Sequence, residues 1–129
     1  MRFLKQWLPV VVWAAVILLA ANDNFSSAAT GGVLDRLFGV SVPPAVNFTI
    51  RKAAHLVEYA ILAMLAWRAD RRAQVALGIA LIVAIIDETR QGLWTTARSG
   101  SPWDVVIDMV GAYAGVMWMR RIADNAVQK

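Results

Sequence analysis

The side chains able to do chemistry fall in three short segments. The first, RKAAHLVEYAIL at 51–62, carries Lys52, His55, Glu58 and Tyr59. The second, DETRQ at 87–91, carries Asp87, Glu88 and Gln91, and Arg98 follows it. The third, PWDVVIDMVGAYAG at 102–115, carries Asp104 and Asp108 and then Gly111 and Gly115. Carboxylates beside a lysine, a histidine and an arginine could hold a phosphate or carboxylate, accept hydroxyls, or move a proton. The single histidine excludes a three-histidine zinc site within one chain, and the lack of cysteine excludes thiolate ligands and disulfides. There is no HExxH, no Gly-rich phosphate loop and no nucleophilic cysteine. No metal and no cofactor is assigned from these residues, although His55, Glu58, Asp87, Glu88, Asp104 and Asp108 offer enough oxygen and nitrogen ligands for a divalent ion.

The segments lie in a greasy chain. Of its 129 residues 59% are hydrophobic and 17% charged, and mean hydropathy is +0.54. Soluble domains carry roughly 25% charged residues. The expectation is an all-α membrane bundle of about four transmembrane helices, spanning 3–21, 50–67, 73–94 and 103–119 as a single domain over 1–129. Helices are required because an isolated strand cannot satisfy its backbone in lipid. Trp67, Trp94, Trp103 and Trp118 stand at run ends, where interface anchors are common. Pro9 is expected in the first turn of the first helix. The basic start and small residues near Ala20 also fit a cleaved signal peptide. Residues 34–40 could form an interfacial helix, and VPP at 42–44 argues against helix there. Gly78, Ala80, Ala84, Ala112 and Ala114 suit close helix packing.

Lysine and arginine set the orientation. Arg2, Lys5, Arg68, Arg71, Arg72, Arg120, Arg121 and Lys129 fall on one side, eight of the 13 in the chain. Arg36, Arg51, Lys52, Arg90 and Arg98 fall on the other. The richer side is expected to be cytoplasmic, with both termini there, in a multi-pass protein of the inner membrane. The net charge of +4 is thereby explained without nucleic acid.

In that topology the three polar segments meet at the outer level. Lys52, His55 and Tyr59 share a helix face, with Glu58 at its border. Asp87, Glu88 and Gln91 are three and four apart. Asp104, Asp108, Gly111 and Gly115 form one stripe. Asp108 lies about 8 Å beyond Trp103 along a helix, and Asp87 about 10 Å before Trp94. An ionised acid at core depth costs roughly 2.5–3.5 kcal/mol, so the acids should face one another and the cations. Each has a plainer role available: Asp104 as a helix N-cap, His55 as a structural hydrogen bonder, Gly111 and Gly115 as a packing GxxxG.

The ordered set Lys52, His55, Tyr59, then Asp87, Glu88, Gln91, then Arg98, Asp104, Gly111 and Gly115 resembles the VanZ-like membrane protein family over residues 51 to about 119. Two departures stand out. Thr95, Thr96 and Ala97 precede Arg98 where the family often has Pro-Gly, and Asp108 stands where it often has Asn. The resemblance implies a bacterial membrane protein. It also implies a link to resistance to teicoplanin, a lipid-tailed glycopeptide acting outside the membrane.

Three functions follow as expectations. A binding module would hold an envelope ligand, lipid-linked or glycopeptide-like, among membrane lipids, with Lys52 and Arg98 as anion contacts. A metal-dependent enzyme would use His55 or a carboxylate as base on a phosphate ester. A structural partner would use the polar set as a salt-bridge network. The first is preferred, and the expected activity is non-enzymatic.

Overall fold

A computed structural model of the chain describes residues 2–20, 43–94 and 101–128, with positions 32, 33, 36, 37 and 39 between the first two blocks. The described residues form four long α-helices: α1 (Arg2–Ala20), α2 (Pro44–Asp70), α3 (Ala73–Trp94) and α4 (Pro102–Val127). The interfacial helix expected at 34–40 lies largely outside the described residues, and so does Arg98.

α1 continues through Pro9, about two turns in and not in the first turn. One lost amide donor is tolerated in an otherwise unbroken helix. Val10 and Ile17, seven residues apart, are the buried positions of α1, and Trp13 and Ala14 pack between them. The indole Nε1 of Trp13 donates to the Glu58 carbonyl of α2 at 2.9 Å.

α2 begins at Pro44, earlier than its apolar run suggested. VPP was expected to exclude helix, but Pro43 is the N-cap and Pro44 occupies the first turn, where its missing N–H costs nothing. At its other end Arg71 takes a left-handed conformation, φ 63°, and its N–H bonds the Trp67 carbonyl at 2.7 Å. Two residues suffice to reverse the chain into α3. α4 is capped by Ser101, whose hydroxyl accepts from Trp103 N at 3.3 Å, with Pro102 in the first turn. Asp104 is therefore not the N-cap, and its carboxylate is available elsewhere.

α2 and α4 run parallel and make the closest helix pair. Gly111 backs onto the Leu56 backbone and Gly115 onto that of Ala60; a Cβ at either would collide with a carbonyl oxygen. α3 packs antiparallel against both through Ala76, Ala80, Val83 and Ala84, and α1 lies mainly on α2. The small residues divide. Ala80, Ala84 and Ala112 are fully buried, but Ala114 is exposed and Gly78 has open space around it.

Trp67 is only 6% exposed and belongs to the core, unlike an interface anchor, whereas Trp103 is 75% exposed. Leu81, Ile82, Ile85 and Ile86 of α3 and Val106, Val110, Tyr113 and Met117 of α4 are exposed, as are Leu4, Leu8, Val11, Val12 and Val16 of α1. Asp87, Glu88, Gln91 and Asp108 are buried. Among the described residues α1 alone, over Phe3–Ala20, is both long and apolar enough by composition to cross a membrane.

Candidate functional site

The buried face of α3 explains how the acids come inside. Ala76, Ala80, Val83 and Ala84, then Asp87, Glu88 and Gln91, continue one stripe at steps of three and four. The stripe changes from small and apolar to polar along its length. Its polar end meets the first turns of α4 and the corresponding level of α2.

Two pairs cross between the parallel helices. The Lys52 ammonium pairs with the Asp104 carboxylate, both partly exposed. One turn further along, His55 Nδ1 bonds Asp108 Oδ1 at 3.0 Å, with Asp108 fully buried. The steps, three residues on α2 and four on α4, match because the helices run the same way. Immediately beyond lie the contacts of Gly111 and Gly115, so the glycines set the approach that lets the pairs form.

α3 closes the third side. Gln91 Nε2 donates to Asp87 Oδ2 at 3.0 Å, within the helix. Glu88 Oε2 accepts from Ser101 N at 2.7 Å, tying the end of α3 to the start of α4. Glu88 lies near Asp104, Asp108 and His55, and Tyr59 near Asp108, Asp87, Glu88 and Glu58. Glu58 is half-buried on the border of the face, near His55.

Among the buried polar atoms with no hydrogen-bond partner in the described residues are Tyr59 Oη, Glu88 Oε1 and Asp108 Oδ2. They come from α2, α3 and α4, one each. Buried polar atoms are satisfied in most folded proteins, and an unpaired one typically costs about 1–3 kcal/mol. Among the described residues no three His, Asp or Glu side chains are placed to share one metal ion.

The family comparison covers this whole arrangement. A model of the VanZ/LLP1 family matches residues 6–123. The chain belongs to the VanZ/LLP1 family. No curated protein and no solved structure matches it. The matched span takes in every element that positions the VanZ-like polar set, from Trp13 on α1 to Gly115 on α4.

Some participants were not anticipated from the residues alone. Asn47 is buried about one turn before Arg51 and two before His55, on the same stripe at steps of four. It falls between VPP and the start expected for the second span at 50, and a start at Pro44 would have exposed the pattern. Arg90 belongs to no part of the polar set. Its Nη1 donates to the Leu18 carbonyl near the end of α1 at 2.6 Å, satisfying one of the terminal acceptors of that helix.

Proposed function

We propose that this VanZ-like chain is a four-span inner-membrane protein. Its polar cluster, at the outer face, binds the hydrogen-bond-donating part of a cell-envelope ligand. The inverted distribution of residues supports the membrane half of this reading. Large aliphatic side chains cover the outside, while Asp87, Glu88, Gln91 and Asp108 are inside. Contiguous exposed apolar surface on this scale is the mark of an interaction with lipid or protein. α2, α3 and α4, at 27, 22 and 26 residues, exceed the ~20 needed to span. They fail a purely compositional test because of the charges they turn inward, and inward-facing intramembrane charges are functional candidates.

The observation that carries the binding half is the trio Tyr59 Oη, Glu88 Oε1 and Asp108 Oδ2, buried and unsatisfied, one from each of three helices. A purely structural network would be expected to satisfy its own members. The Lys52–Asp104 and His55–Asp108 pairs hold the frame; the trio is what a ligand would meet. Lys52 is already neutralised by Asp104. The described surroundings are therefore rich in acceptors, and suit a ligand group bearing hydroxyls or an amine. A glycopeptide such as teicoplanin or a lipid-linked envelope intermediate fits that class, and altered glycopeptide susceptibility would be one consequence.

Tyr59→Phe separates binding from scaffolding. Removing a hydroxyl that bonds nothing among the described residues leaves thermal stability unchanged or raised by up to about 1 kcal/mol. Binding predicts that ligands co-purifying with the wild-type protein, read by mass spectrometry, fall away in Tyr59→Phe. Unchanged ligand content, with stability lowered, would mean that the hydroxyl serves the bundle.

The scaffold reading retains one specific support, the two ion-pair contacts between α2 and α4. Both roles can share residues, and the trio is where they differ.

A further inference from the structure

At the opposite end of the bundle the turn from α2 to α3 and the last turns of α4 enclose a cleft of about 330 Å³. Its lining includes Trp67, Arg71, Gln74, Arg120 and Asp124. Among the described residues, the Arg120, Gln74 and Asp124 side chains make no hydrogen bond or ion pair within the protein. Neighbouring Arg72 is different, since it is spent on Asp70 at 3.1 Å.

Arg71 is the informative residue. It occupies the left-handed position after α2, where glycine is the ordinary choice. Its guanidinium lies over the Trp67 ring, 4.7 Å from the centroid. The stacking fixes a planar cation over the buried indole instead of leaving it to extend into solvent. The first amides of α3, at Ala73 and Gln74, precede that helix's first backbone bond, from Ala76 N to Arg72 O at 3.2 Å. Their N–H groups add the positive end of a helix dipole to the same cleft. Two guanidiniums against the single carboxylate of Asp124 leave the lining with a net positive charge.

We propose that this cleft binds the phosphodiester headgroup of an anionic phospholipid, of the phosphatidylglycerol type. Arg71 and Arg120 hold the phosphate oxygens through charge-assisted bonds, and Asp124 accepts a headgroup hydroxyl. The inference rests on the membrane orientation proposed above, which puts this end at the cytoplasmic leaflet, where basic pockets between helices meet acidic headgroups. It is independent of the outer polar cluster and of whatever that cluster binds.

The test uses the full chain in nanodiscs of mixed phosphatidylglycerol and phosphatidylcholine, with retained lipid counted by native mass spectrometry. Arg71→Gly removes the guanidinium while keeping the left-handed turn, so folding is preserved. Arg120→Gln removes the second. The expected result is preferential retention of phosphatidylglycerol by the wild type and about tenfold weaker retention in each variant. Inorganic phosphate and glycerol phosphate, added separately, should not displace the lipid. Equal retention by wild type and variants, or preference for phosphatidylcholine, would overturn the proposal. Displacement by inorganic phosphate would overturn the lipid assignment in favour of a soluble phosphate. Failure of the chain to insert would sink the membrane reading with it, whereas insertion without headgroup preference would sink this inference alone.

Discussion

Lys52 and Asp104 form the outermost contact between α2 and α4, partly exposed but flanked by buried acids. Breaking such a pair from one side leaves an uncompensated charge, and the cost exceeds what the intact pair contributes. Lys52→Met is therefore expected to destabilise the protein by about 2 kcal/mol, and Lys52→Met with Asp104→Leu to recover most of that loss. Thermal unfolding in detergent of the two single variants and the double variant measures the coupling. Additive losses would show that the two side chains act separately. The faces of Lys52, His55, Asp104 and Asp108 were legible from spacings of three and four, because helix geometry alone puts such residues together. Which acid meets which base was not legible, since that depends on α2 and α4 running parallel at close approach. Arg90 was illegible for a different reason. Its partner is a main-chain carbonyl of α1, and a carbonyl has no sequence signature.

Between α2 and α4 the backbones touch at two glycines, and the helix contact is decided there. A methyl group at Gly111 would strike the Leu56 carbonyl, and one at Gly115 that of Ala60. The neighbouring atoms are backbone and cannot step aside, so the helices must separate. Gly111→Ala is expected to cost about 1–3 kcal/mol and to loosen the His55–Asp108 contact next to it. Gly78→Ala serves as the control, because open space surrounds that position and alanine favours helix by up to about 1 kcal/mol. Equal thermal stability of the two variants would contradict this account of the contact. The four helices themselves were readable from their apolar runs and helical periodicity, but their starts and their neighbours were less so. A proline pair reads as a helix breaker, yet Pro44 sits where a helix begins. A tryptophan at a run end reads as a lipid anchor, yet Trp67 is covered by its own bundle and by Arg71.

Across the described residues large apolar side chains cover the outside of a small-residue apolar core, with chemistry segregated to the two ends. An acceptor-rich cluster gathers at the end where α4 starts, and a basic cleft lies where it finishes. α4 carries Asp104 and Asp108 at one end and Arg120 and Asp124 at the other. The crossing proposed for α4 is the least apparent from composition and the most consequential, because both proposed sites depend on it. The chain has no cysteine, so single cysteines report without background. Pro102→Cys and Asn125→Cys mark the two ends of this one helix. In intact cells a membrane-impermeant maleimide should label Pro102→Cys, and should label Asn125→Cys only after the membrane is permeabilised. Labelling of both in intact cells, or of neither until permeabilisation, would contradict a spanning α4 with its polar cluster at the outer face.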